Sequence, residues 1–355
     1  MADVRPFRAV RYARPGAEVT APPYDVIDDV SAEALRARDP HNIVHLTAEP
    51  DERAAAERLR GWLADGTLVR DETPAVWLLE QDFVGPDGVP RRREGIVASL
   101  RVEPYSTGAV LPHERTHAEA LEGRLRLLRA TRMQLEPIFL LYEGTPSLAA
   151  PARAPDVDVE GTRLWRMDGD AGVTAFFAER QLLIADGHHR YEAAVAFAAE
   201  DGADRMLVVL VSVDDPGLQV FPTHRVFVGR SDIDPPGEAF PSVDDARAAL
   251  EREPSDAPAA VFVRAGETRL VGGEPGELDV ELVDRFGHEG IAYTPDAGEA
   301  VRQVEGGKAD CAFLVRPPRV ADVFERARRG LTMPQKATYF FPKLLSGLLL
   351  HPLEP

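Results

Sequence analysis

"LLIADGHHRYEAAVAF", residues 182–197, is the stretch from which the rest of the chain is read. An apolar run ends in Asp186-Gly187, two histidines and an arginine follow, and an alanine-rich helical pattern takes over. The pattern predicts a buried strand over 181–185, a tight turn and a helix over 188–200. A strand delivered into a helix N-terminus makes an anion site by geometry, because unpaired N–H groups point outward and the helix dipole adds partial positive charge. Gly187 lets the backbone approach a ligand closely, and Arg190 has the fork geometry for phosphate oxygens. His188 and His189 supply donors or acid–base groups that titrate near neutral pH. Asp186 either caps the helix or accepts a proton or holds a metal-bound water.

Working outward, the chain has 355 residues, 44% hydrophobic and 28% charged, which suits a globular α/β protein of about two domains. Its single cysteine, Cys311, excludes an internal disulfide framework and fits a reducing, cytoplasmic setting. No secretory signal is expected at the N-terminus, and "LLSGLLL" is too short to span a membrane. A net charge of −18 opposes binding to phosphate backbones, so neither nucleic acid nor membrane is an expected partner. Helices are expected over 31–40, 51–66 and 117–135, and a strand over 42–49. A hairpin is expected over 75–105, strands over 137–142 and 205–213, and an irregular excursion over 146–163. A shift to Pro, Asp and Ala at 233–259 sets an expected boundary between a region 1–232 and a smaller α/β region 233–355.

Four further clusters carry chemistry-bearing residues. In "VLPHERTH" (110–117), Glu114 is the candidate general base for a substrate hydroxyl and Arg115 a group to neutralise phosphate. The alternative is that the loop merely caps the following helix. In "APPYDVI" (21–27), two prolines present Asp25 rigidly, either as a second carboxylate for catalysis or as a turn former. In "FPTHRVF" (221–227), Arg225 lies between apolar residues and calls for an anionic partner, a carboxylate or a phosphate. In "MPQKATYFFPK" (333–343), Lys336 and Lys343 are embedded in apolar sequence. Either Lys336, Thr338 and Tyr339 close over the site, Lys336 and Thr338 as phosphate-binding groups, or the segment is a structural C-terminal strap anchored by Phe340 and Phe341. Five of nine histidines fall in these motifs, which keeps a His-dependent metal hydrolase open as an alternative.

"ADGHHRYEAA" resembles the Asp-Gly-His-His-Arg signature of ADP-dependent free-serine kinases and the equivalent turn of the wider ParB/sulfiredoxin-like superfamily. "RPFRAV", "APPYDVI", "LPHERT", "RLRLLRATRMQLEPIFLLY", "FPTHRVF" and "MPQKATYFFPKLLSGL" together resemble the family catalogued as domain of unknown function 1015, from about residue 5 to residue 350. The resemblance implies a mixed α+β fold with a ParB/sulfiredoxin-like nucleotide-binding core over 1–232. It also implies a turn at 186–190 that holds nucleotide phosphates. His188 stands where sulfiredoxins carry their nucleophilic cysteine, which excludes that chemistry here. No helix-turn-helix accompanies the turn, which argues against a ParB-type DNA clamp. The expectation is a kinase that uses ADP or ATP, with Mg²⁺, to phosphorylate a small hydroxylated metabolite, an amino acid such as serine being one candidate. A nucleotide-binding switch without turnover is the alternative. CTP is not excluded as the nucleotide, and the oligomeric state is left open.

Overall fold

The computed structural model describes residues 1–354, a mixed α/β protein built on two sheets. In the larger, nine-stranded sheet the path runs Val110–Leu111, Leu182–Asp186, Ile138–Tyr142, Arg205–Ser212, Pro90–Arg101, Ala75–Val84, Thr162–Asp168, Val157–Val159. Val4–Arg5 pairs beside Pro90–Arg101. Pairing is parallel where Arg205–Ser212 meets Ile138–Tyr142 and where Leu182 meets Val110, and antiparallel elsewhere. The Arg205–Ser212 strand lies inside the sheet and is buried on both faces, as its unbroken apolar run predicts. Met206, Val208 and Leu210 face a core that includes Phe177, Tyr191 and Ala194. Leu207, Val209 and Val211 face the opposite core, under Leu344, Leu348 and Leu349.

The six-stranded sheet runs Glu238–Ala239, Glu267–Gly272, Ala259–Arg264, Cys311–Val315, His224–Phe227, Ile291–Thr294. Helices Val243–Leu250 and Ala297–Glu305 cover one of its faces through Ala246, Leu250, Ala300 and Val304. Phe227, Phe262 and Phe313 on the other face join the core that underlies the larger sheet, so one apolar interior runs through both. The second sheet takes a strand from His224–Phe227, ahead of residue 233, and the chain after 334 leaves it again. That last segment is a strap. Tyr339–Phe341 pairs with Gln219–Phe221, Ser346 bridges to Ala21, and His351–Pro352 pairs with Met133–Gln134. No helix among the described residues is long and apolar enough to cross a membrane.

Most expected elements form: Glu52–Ala64 and His188–Asp201 are helices within two residues of their expected limits, while the helix Ala118–Thr131 and the hairpin of Ala75–Val84 with Pro90–Arg101 each end four residues short of theirs. The strand expected over 42–49 is instead a short helix, Val44–Thr47. The cause is Asn42. Its side-chain amide donates to the carbonyls of Glu18 and Thr20 while its Oδ1 accepts the Val44 N–H, a local bond that turns the backbone. The expected irregular stretch before residue 163 contains an edge hairpin turning at Glu160-Gly161, both with positive φ. Helix Val243–Leu250 was hidden in the Pro/Asp/Ala-rich stretch, although Ser242 caps it by accepting the Asp245 N–H.

The strap belongs to the core. Leu350 is fully buried and exchanges both backbone hydrogen bonds with Val10. Leu350→Ala is therefore expected to cost about 2–5 kcal/mol in urea denaturation, and a loss below about 1 kcal/mol would show the strap to be dispensable.

Candidate functional site

Asp186 ends its strand and Gly187 reverses the chain with φ +100°, a left-handed conformation that favours glycine. A Cβ at 187 would also lie 2.6 Å from Cγ2 of Ile138, so both backbone and space demand glycine. The helix His188–Asp201 starts at once, and no side chain caps it. Asp186 does not serve as a cap. Its Oδ2 accepts from Arg190 Nη2 at 2.5 Å and its Oδ1 from the Lys343 ammonium of the strap. Burial would raise this carboxyl, but Lys343 and Arg190 together hold it below the usual aspartate range. Arg190 also donates to the carbonyl of Pro137, and its Nε has no partner. The guanidinium fork expected to face a phosphate is thus closed on Asp186 and Pro137.

The paired histidines perform a matched task. His188 Nε2 accepts the backbone N–H of His113 at 3.2 Å, and His189 Nε2 accepts that of His117 at 2.9 Å. Neighbouring helical side chains diverge by about 100°, so the two rings reach two different points of the 113–117 loop. His113 in turn donates from Nδ1 to the Ile184 carbonyl and accepts at Nε2 from the Thr338 hydroxyl. These accepting roles require neutral rings. Burial, the largest cause in each case, pushes His113, His188 and His189 below the usual histidine value. Glu114 and Arg115 project from the loop between the two pinned N–H groups.

These groups border a cavity of about 890 Å³. Residues 186–190 form one wall; Asp25, Glu114, Arg115, Lys336 and Thr338 reach it from three other segments. The Tyr24–Val26 turn is held by its Tyr24 N–H on Glu136 (2.9 Å) and by the Tyr24 ring, which lies under Arg124 at 3.8 Å and Arg190 at 6.0 Å. Asp25 is left exposed on the rim. Arg115 and Lys336 have no carboxylate within 4.0 Å among the described residues, and Asp25 no cation. Glu114 has only the neutral His113 ring, at 3.8 Å. Lys336 adopts φ +54° in a turn closed by Ala337 N–H on the Pro334 carbonyl.

Arg225 does not reach the cavity, so a direct contact with phosphate does not fit. Its side chain is fully buried, donating to the carbonyls of Thr223 and Gln335 with Asp284 at 3.9 Å. Its link to the site is the Gln335 carbonyl, one residue before Lys336. A further part of the lining comes from the segment 281–293 that packs with the second sheet: Glu281, Asp284, His288 and Tyr293. Sequence reasoning missed these four, and it noted Lys343 as a cation in apolar sequence without assigning it to the site. The four sit on and after a short helix, Asp279–Asp284, that no local motif advertised. Among the described residues, no group of three or more His, Cys, Asp or Glu is arranged to hold a metal ion.

Because His188 is neutral when folded and titrates near 6.5 when unfolded, it contributes stability that is complete above about pH 6.5 and lost as the pH falls below it. His188→Gln, whose Oε1 can replace the acceptor, is expected to fold and to flatten the fall in stability between pH 7 and 5.5 by up to about 1.4 kcal/mol per pH unit. Parallel pH–stability curves for the variant and the parent would contradict a buried neutral ring.

Three solved structures are similar to the chain at low identity. A free serine kinase in complex with AMP is 19% identical, covers 68% of this chain and 89% of its own, and has a TM-score of 0.40. C-terminally truncated SbnI from Staphylococcus aureus is 14% identical over 71% of this chain and 87% of its own, with a TM-score of 0.41. A conserved hypothetical protein from Pyrococcus furiosus is 18% identical over 68% and 92%, with a TM-score of 0.36. No curated protein matches the chain. The family model described as "Protein of unknown function (DUF1015)" matches residues 4–240, two thirds of the sequence that includes the Asp-Gly-His-His-Arg turn, and the chain belongs to that family.

Proposed function

We propose that the protein is a nucleotide-dependent phosphotransferase acting on a small hydroxylated metabolite. The observation that carries this reading is the uncapped N-terminus of the His188–Asp201 helix opening, across Gly187, into a cavity bordered by charged side chains, among them Arg115 and Lys336, which have no carboxylate within 4.0 Å among the described residues. Free N–H groups, a helix dipole and two uncommitted cations suit a polyphosphate better than a neutral ligand. Glu114 is the general base. It is a carboxylate without a cationic partner on a loop pinned at both ends, so its position is fixed while its charge stays free.

In this reading ADP or ATP lays its phosphates on the backbone N–H groups at 187–190, with Arg115 and Lys336 neutralising their charge. The acceptor hydroxyl attacks the terminal phosphorus, Glu114 takes its proton, and the bridging oxygen leaves with the shortened nucleotide. Hydroxylated amino acids such as serine are the first acceptors to try. Mg²⁺ is bound in such sites by one or two carboxylates and the phosphates themselves, and Asp25, an exposed carboxylate with no cation within 4.0 Å among the described residues, fits that donor set. When bound it would screen phosphate charge.

Calorimetric titration with ADP, ATP and CTP, each with Mg²⁺, followed by a ³¹P survey of hydroxylated acceptors tests the proposal. Lys336→Ala is expected to weaken nucleotide binding by about tenfold, and Glu114→Gln to keep binding but lower turnover by about 10²-fold or more. Failure of all three nucleotides to bind would overturn the reading. Saturable binding with no turnover of any acceptor would turn it into a nucleotide switch.

A further inference from the structure

Of the 41 lysine and arginine residues only three are lysines, Lys308, Lys336 and Lys343. Two of the three border the same cavity. In a chain that otherwise uses arginine, a lysine supplies a compact ammonium with three rotatable donors on a flexible stem. Lys343 spends one donor on Asp186, and no other hydrogen bond from it is present among the described residues. Asp186 carries one negative charge against the two positive charges of Arg190 and Lys343, leaving the trio with a net positive charge beside the uncapped helix. Arg190 has its fork occupied and is 7% exposed; Lys343 is 21% exposed and faces the cavity. Asp25, which lines the same cavity beyond 4.0 Å, offsets part of this charge, and the cation with free donors toward the cavity is Lys343. Burial works against it, but Asp186 holds it above the usual lysine range, so it stays an ammonium at neutral pH.

Something must hold the strap so that Lys343 reaches Asp186. Arg93, on the Pro90–Arg101 strand, is fully buried with no carboxylate within 4.0 Å among the described residues. Its Nε and Nη2 donate to Gln81 Oε1, its Nη1 to the Phe341 carbonyl at 3.3 Å and its Nη2 to the Pro342 carbonyl at 2.9 Å. The guanidinium lies over the Phe139 ring, 4.6 Å from its centre. The two strap carbonyls it grips are those immediately before Lys343. A buried cation whose hydrogen bonds all go to neutral acceptors, with the opposing charge of Asp215 beyond 4.0 Å, is a costly way to fasten a strap. Burial lowers Arg93 to about 9, in keeping with that cost.

We infer that Lys343 is a phosphate-contacting residue of the site, donating its two free N–H groups to an anionic ligand at the signature helix, and that Arg93 is its positioning residue. The inference rests on the phosphate-binding reading above. Arg93 acts only through the strap and touches no ligand.

The test is titration with ADP and with inorganic pyrophosphate, each with Mg²⁺, against the full-length protein and the variants Lys343→Met, Arg93→Met, their double, and Lys308→Gln. Lys343→Met leaves Asp186 its Arg190 partner, so folding is expected to survive. It should weaken both ligands by about tenfold or more, while Lys308→Gln binds as the parent does. Arg93→Met should weaken them by about threefold or more, and the double variant by no more than Lys343→Met alone, because a residue acting through another adds nothing once that one is gone. Losses that multiply in the double variant would reduce Arg93 to a structural residue. Should Arg93→Met fail to fold, acetylation of the parent decides: bound ADP must shield Lys343 and leave Lys308 unchanged. ADP that binds Lys343→Met as tightly as the parent, or leaves Lys343 unshielded, overturns this inference alone. Failure of the parent to bind either ligand overturns the phosphate-site reading as well.

Discussion

Asp186 is a nearly buried carboxylate answered by two cations from distant parts of the chain. Arg190 arrives from one helical turn downstream, and Lys343 from 157 residues away at the end of the strap. A carboxylate so placed is tolerable only while it is paired, since removing the partner of a buried charge costs about 3–5 kcal/mol. The strand, the Gly187 reversal, the helix and the returning C-terminus are thus tied to one another at a single carboxylate. The helix is left without a side-chain cap, because its N-cap position is held by Gly187 and the carboxylate just before it is turned toward the cations. An uncapped helix end needs a partner for its N–H groups, and the cavity in front of it has room for one.

The adjacent histidines explain a second feature of the motif. Side by side on a helix they diverge, and each meets one N–H of a loop whose contact points, His113 and His117, lie four residues apart. The rings are acceptors for backbone donors, held neutral by burial, and not free acid–base groups. Their effect is to fix Glu114 and Arg115 in front of the helix end. His113 carries the chain of contacts onward to Thr338 and so to the strap. Preorganised charged groups around a polar cavity are the usual basis of phosphoryl-transfer catalysis, which needs positioning and electrostatic stabilisation more than covalent chemistry.

Much of the fold was legible because it is written locally. The 205–213 run, the 75–101 hairpin and the 51–66 helix each declare their period and their ends within a dozen residues. Asn42 defeated the pattern because a side-chain bond to the 18–20 segment, more than twenty residues away, outweighed apolar alternation. At the site, the sequence pointed to the right segments, but Arg190 closes on Asp186, and of the carboxylate or phosphate left open for Arg225 it is a carboxylate, Asp284, that lies nearby. Nothing in "HHRYE" tells that Arg190 will turn back on Asp186, or in "THRVF" that Arg225 will be sealed behind Gln335. Lys343 and the Asp284–Tyr293 wall are brought to the cavity only by the return of the strap and the packing of the second sheet. The apolar neighbours of Lys343 marked it as a cation in want of a partner, but nothing local told that the partner would be Asp186.

The most direct test of the central claim is whether a polyphosphate sits on the backbone at the signature turn. Selective ¹⁵N-histidine labelling gives one amide probe at each of the nine histidines, of which His188 and His189 lie in the first turn of the uncapped helix. Titration with ADP and Mg²⁺ is predicted to shift the His188 and His189 amides strongly and saturably, while those of His41 and His351, outside the cavity lining, stay in place. Saturable ADP binding that leaves the His188 and His189 amides unmoved would place the phosphates elsewhere and contradict the account.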